Sequence, residues 1–79
     1  MAEYSYTVLF ESAEEGGFTA TCPALPGLVT EGDTLEEARS MAQDAIRAYL
    51  ESLRKDRQPI PLDRPPLKEE IQVMLPESA

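Results

Sequence analysis

The hydrophobic period of this chain changes from two to helical at Gly32-Asp33-Thr34, and that change restricts the fold more than any other feature of the sequence. Upstream, Tyr4, Tyr6, Val8 and Phe10 share one face against Ser5, Thr7 and Leu9, and Phe18, Ala20 and Cys22 resume the alternation against Thr19 and Thr21. A period of two places successive side chains on opposite faces of a strand. Glu14, Glu15, Gly16 and Gly17 separate the two runs. Glycine takes positive φ at no steric cost, so a β-hairpin is predicted. Pro23 and Pro26 then interrupt the pattern, because proline has no N–H for a ladder, and Gly27 permits a reversal. Leu28 to Glu31 is long enough for a short third strand, ended by Gly32 and Asp33.

Downstream, Leu35, Ala38, Met41, Ala42, Ala45, Ile46, Tyr49, Leu50 and Leu53 recur at helical spacing, with Arg39, Gln43, Asp44, Arg47, Glu51 and Arg54 facing away. Thr34 and Glu37 fit a capping box. Glu36 and Glu37 suit the positive pole of a helix, and Arg54, Lys55 and Arg57 the negative one. An amphipathic helix over 34–55 follows. Pro59, Pro61, Pro65 and Pro66 make residues 56–66 a spacer that cannot be helical. Glu69 to Leu75 alternates again, with Ile71, Val73 and Leu75 against Gln72 and Met74, which predicts a fourth strand before a frayed tail, Pro76 to Ala79.

These elements make a single α+β domain over 1–79, a two-layer βββαβ arrangement with the helix on a mostly antiparallel sheet. The right-handed crossover rule favours the strand order 3-2-1-4 if the last strand lies parallel to the first. The spacer is equally able to deliver that strand to a second subunit. Ordering the backbone costs on the order of 1 to 2 kcal/mol per residue, and 79 residues bury little surface against that cost. Self-association, most simply as a dimer, is therefore expected. Candidate interface residues are Thr7, Leu9, Thr19 and Thr21 on a small, uncharged sheet face, Met41 and Leu50 at the margins of the helical stripe, and Ile71 and Val73 on an edge strand with unpaired amides.

Composition narrows the chemistry. There is no histidine, which excludes imidazole acid-base catalysis, histidine-bearing triads and imidazole metal sites. The lone Cys22 cannot form a thiolate zinc cluster or an internal disulfide, and it lies on the face of Phe18 and Ala20 as a small hydrophobe. No phosphate-cradling or calcium-binding motif occurs. No catalytic residue, metal or cofactor is predicted. Seven basic residues against 15 acidic ones give a net charge of −8, which repels phosphate backbones, so direct nucleic-acid binding is not expected. No apolar run approaches the roughly 20 residues of a membrane span, and the N-terminus lacks a signal-peptide pattern. A cytoplasmic location is the expectation.

A segment from Gly16 to Ala38, GGFTATCPALPGLVTEGDTLEEA, resembles the signature of the HicB-like antitoxins of bacterial toxin-antitoxin pairs. It has the aromatic strand, the Pro-x-Leu-Pro-Gly turn and the Gly-Asp-Thr-x-Glu-Glu-Ala helix start, and the resemblance runs from about Tyr4 to Leu75. It implies a partial ribonuclease-H-like fold and a cytoplasmic dimer that binds a small basic HicA-type toxin. That toxin is an mRNA-cleaving ribonuclease, neutralised when its RNA-binding surface is covered. Candidate partner contacts are the acidic residues Glu11, Glu14 and Glu15, which suit a cationic surface, and the turn residues Leu25, Pro26 and Gly27. The alternative for each group is structural, as a solvated hairpin tip and as a strand connection. Similar antitoxins often carry a C-terminal DNA-binding module; with the sequence ending at Ala79, the expectation is the toxin-binding part alone. Ala24 stands where many have Asp, and no convergent carboxylates for two-metal hydrolysis are evident. Two rival functions are a degenerate magnesium-dependent nuclease using Glu11 and Asp33, and a stand-alone domain that has lost its toxin.

Overall fold

A computed structural model describes residues 2–77; Ser78 and Ala79, the end of the expected tail, lie outside them. The elements are β1 (Leu9–Ser12), β2 (Phe18–Thr21), β3 (Val29–Gly32) and α1 (Leu35–Lys55). The strands form an antiparallel sheet in the order β1-β2-β3, so the α+β class and the helix-on-sheet layering are observed. Leu9 pairs with Thr21 and Thr21 with Val29; Glu11 pairs with Thr19 and Thr19 with Glu31. Directly opposed residues share a face. One face of the sheet therefore carries the rows Leu9-Thr21-Val29 and Glu11-Thr19-Glu31, and the other carries Phe10-Ala20-Thr30.

β1 begins at Leu9, later than the alternation from Tyr4 suggested. The register pairs Leu9 with Thr21, so earlier residues meet Cys22 and Pro23, and proline has no donor to extend the ladder. Residues 4–8 are consequently outside the ladder. At the other end of the hairpin, Ala13 N–H donates to Gly17 O at 3.0 Å and Gly16 N–H to Ala13 O at 3.1 Å. Gly17 has φ +81°, and a Cβ there would stand 2.6 Å from Gly32 O.

The core is small. Cys22, Ala24, Leu25 and Leu28 are buried together, with Tyr6, Ala45, Ile46, Tyr49 and Leu50 packed against them. The Pro-rich link between β2 and β3 folds as two successive turns, with Leu25 N–H on Cys22 O at 3.0 Å and Leu28 N–H on Leu25 O at 3.2 Å. The Tyr49 hydroxyl of α1 donates to Pro26 O at 3.1 Å and ties the second turn down. α1 lies over β3 and β2, and its buried Ala38 and Ala42 allow the close approach.

Thr34 caps α1 as predicted, its hydroxyl accepting from Glu37 N–H at 3.0 Å. The helix ends with Arg57 N–H on Arg54 O at 3.0 Å and Gln58 N–H on Leu53 O at 2.8 Å, with Arg57 at φ +56°. This is a Schellman closure, and Pro59 just beyond it prevents continuation.

The spacer then returns to the N-terminal segment. Tyr6 Oη donates to Pro61 O at 2.6 Å, and Asp63 accepts from Thr7 N–H at 2.9 Å and from Thr7 Oγ1 at 2.8 Å. The Thr7 amide and hydroxyl hold the Asp63 carboxyl below the usual carboxylate range. A carboxylate held low stabilises the fold above its unfolded pKa of about 3.9 and loses that contribution as pH falls through its folded value. Asp63→Asn is therefore expected to flatten the decline of melting temperature below about pH 4, and an unchanged acid limb would show that the clasp contributes nothing.

Beyond Asp63 the structure departs from the expected in-chain order 3-2-1-4. Glu69 to Leu75 forms no strand and pairs with no strand among the described residues. The reason is local: the Asp63 side chain, not a backbone carbonyl, takes the Thr7 amide, and Pro65 and Pro66 have no N–H to donate. Residues 64–77 form an exposed arm. The Cα radius of gyration is 16.8 Å and the long axis 63 Å, against a radius of about 12 Å for a compact chain of this length. Among the described residues, no helix is long and apolar enough to cross a membrane.

Candidate functional site

The hairpin turn, the end of β3 and the start of α1 meet at one end of the sheet, because β1 and β3 run in the same direction on either side of β2. This brings an acidic group together. Glu14 and Glu15 sit exposed in the turn, and Glu11 lies one pair inward on the face away from the helix, in the same row as Glu31. A shallow polar hollow of about 250 Å³ opens between the turn and the helix start, with Glu31, Asp33 and Glu37 on its lining. Among the described residues, the ion pair present is Arg47 with Asp44 at 3.5 Å, exposed on α1. The carboxylates of the tip have no cationic partner in that set, so their charges add. The field of such a cluster reaches solvent up to the screening length, about 8 Å at physiological salt.

Glu31 and Glu37 escaped the sequence reading, which placed the acidic patch at Glu11, Glu14 and Glu15 alone. The signal for Glu31 was the strand register, which two-residue periodicity does not supply.

The turn candidates separate from the acidic ones. Pro26 and Gly27 are exposed at the opposite end of the sheet, and Leu25 is fully buried in the core. Leu25 is thus corrected from a partner contact to a core residue: the tight turn at Pro26-Gly27 points its side chain inward. The sheet face away from α1 also differs from the expected uncharged surface. It carries Leu9, Thr19 and Thr21 as predicted, joined by exposed Val29, but Glu11 and Glu31 lie on it too. Thr7 is engaged by Asp63. Met41 is exposed, Leu50 packs against the core, and Ile71 and Val73 stand in solvent on the arm.

Because α1 sits over β3 and β2, the helix-side face of the N-terminal segment is left open. Tyr4, Tyr6, Val8 and Phe10 form one wall of a largely apolar groove of about 490 Å³, and Arg39, Ala42, Gln43 and Ile46 of α1 form the other. Among the described residues, no three Asp, Glu or Cys side chains converge to hold a metal ion. The nuclease reading through Glu11 and Asp33 therefore has no assembled ligand set to rest on.

Comparison with known proteins gives a consistent result. Residues 3–79 match a family model described as the HicB-like antitoxin of bacterial toxin-antitoxin systems. A UPF0150 protein of Synechocystis sp. is 48% identical over 58 residues, covering 73% of each chain. A UPF0150 protein of Thermoplasma acidophilum is 47% identical over 58 residues, 73% of this chain and 84% of that one. Antitoxin HicB 1 of Photorhabdus laumondii is 40% identical over 70 residues, 89% of this chain and 45% of the longer protein.

Proposed function

The chain belongs to the HicB-like antitoxin family, and from that premise we propose that it neutralises a small basic HicA-type ribonuclease in the cytoplasm by laying its acidic tip over the toxin's RNA-binding surface. The observation that carries the reading is the gathering of Glu11, Glu14, Glu15, Glu31, Asp33 and Glu37 around one end of the sheet without cationic partners among the described residues. A surface that binds mRNA presents cations to phosphate, and carboxylates at the same positions form charge-assisted hydrogen bonds with them. Inhibition in this scheme is exclusion of substrate. The antitoxin breaks no bond, and Pro26 and Gly27, at the far end, lie outside the contact.

The test is kinetic. Steering by charge raises association rates by roughly 10- to 1000-fold and fades with salt. Replacing Glu11, Glu14 and Glu15 together by Lys is expected to slow association with a small basic HicA-type toxin by at least about 10-fold at low salt. The melting temperature should hold, since all three side chains are exposed. An unchanged, salt-insensitive association rate would remove the tip from the interface.

A further inference from the structure

We propose that the flank of α1 carrying Arg39, Arg47 and Arg54, with the apolar wall of Tyr4, Tyr6, Val8 and Phe10 beside it, is a docking site for an acidic amphipathic helix of a partner protein. The contact uses none of the tip carboxylates and does not rest on the toxin reading. Its first observation is the placement of charge. The chain has seven basic residues against a net charge of −8, and three of the seven fall on one line of the helix. A helix turns about 100° per residue, so Arg39, Gln43, Arg47, Leu50 and Arg54 lie within an arc of about 80°. Buried Ala42 and half-buried Ile46 border that arc on the sheet side, and exposed Asp44 and Glu51 border it on the outer side.

The second observation is that two hollows join along this flank. The groove of about 490 Å³ has Arg39 on its helical wall. A neighbouring hollow of about 260 Å³ holds Arg47, Leu50 and Arg54, and Tyr4 lines both. Val8 and Phe10 share a hollow with the first half of the helix and Ala2 shares one with the second half. The N-terminal segment and α1 therefore run antiparallel, and their lengths match: about 20 Å from Tyr4 to Phe10 and about 22 Å from Arg39 to Arg54.

Apolar wall and cationic rim together select the occupant. Arg39 and Arg54 have no ion pair among the described residues, and Arg47 has the exposed contact with Asp44 at 3.5 Å, which contributes little in water. Successive arginines stand two helical turns apart, about 12 and 10.5 Å. A helix laid along α1 meets them with carboxylates at the same interval and turns its apolar stripe into the groove. Each guanidinium is then able to grip a carboxylate with two parallel hydrogen bonds. A nucleic acid would bring a continuous line of phosphates to a chain of net charge −8, and its backbone has nothing to set against Val8 and Phe10. A helix brings two or three carboxylates, placed at the stripe.

The probe is a labelled synthetic peptide of about 18 residues, helical in design, with Glu at about every seventh position beside a leucine stripe. Anisotropy with the intact protein should show saturable binding at low salt that weakens as salt rises. Arg39→Glu with Arg54→Glu should weaken it at least about 10-fold, since like charges would then face each other. Both arginines are exposed, so the melting temperature should hold. Arg64→Glu with Lys68→Glu makes the same change of charge on the exposed arm and should leave binding within about 2-fold, screened by distance. A peptide with Lys in place of Glu should bind the Arg39→Glu/Arg54→Glu protein, a rescue that an unfolded variant could not give. No saturable binding up to about 1 mM, an equal loss in the arm variant, or no rescue by the exchanged charges would each overturn the proposal. So would a single-stranded RNA that displaces the peptide fully, or an assembly of the parent protein that comes apart in the Arg39→Glu/Arg54→Glu variant, which would put a second copy in the groove.

Discussion

Gly32→Ala is expected to cost about 3 kcal/mol, the upper end of the usual penalty for forcing extra atoms into a packed site. A Cβ on Gly32 would stand 2.5 Å from Ala38 N and 2.9 Å from Ala38 Cα. Those are backbone atoms of the first turn of α1, which Thr34 holds in place, so no side-chain rotation relieves the overlap. A domain of this size has a total stability of about 4 to 12 kcal/mol, and 3 kcal/mol lowers its melting temperature by roughly 12 to 24 °C. Gly27→Ala is the control: space is open there and the φ of +85° is the sole obstacle, worth about 1 to 2 kcal/mol. If Gly32→Ala melted no lower than Gly27→Ala, α1 would not lie this close to the end of β3. The position bears on function as well, because the same approach carries Asp33 and Glu37 to the acidic tip.

Leu25→Ala is expected to lose about 3 kcal/mol, within the roughly 2 to 5 kcal/mol measured for truncating buried leucines. Leu25 is fully buried, with Cys22, Ala24 and Leu28 beside it and residues of α1 packed on the cluster. In so small a core the neighbours have little with which to refill the space. Thermal unfolding with a parallel binding measurement separates two roles: a core residue lowers the melting temperature and reduces binding in proportion to the unfolded fraction. A partner contact would weaken binding with stability intact, and that result would reverse the assignment. The Pro-Ala-Leu-Pro-Gly turn of this chain is then a folding device, with buried Ala24 and Leu25 anchoring the turn that Pro26 and Gly27 complete at the surface.

The hairpin, the third strand and the helix were legible because their signals are local. The alternation through Phe18, Ala20 and Cys22, the glycine pair at positions 16 and 17, and the Thr34 cap each act over a few residues, and each reappears in the structure. The acidic site was only half legible. Glu14 and Glu15 announce themselves in a turn, whereas Glu31 joins Glu11 only because both oppose Thr19 across two ladders. Leu25 misled for a related reason: whether a turn residue points inward depends on what packs against the turn, here a helix that begins ten positions later.

From the sequence alone come the division of the chain into a sheet half and a helix half, the absence of imidazole chemistry and the antitoxin family signature, all of which reside in residue types and short spacings. Tertiary structure decided which carboxylates share an end, that Leu25 belongs to the core, and that Glu69 to Leu75 finds no strand in its own chain. Those outcomes depend on register and on edges, where residues tens of positions apart compete for the same amides. Asp63 reaches Thr7 across 56 positions, and its carboxylate occupies the amide that a fourth strand would have used.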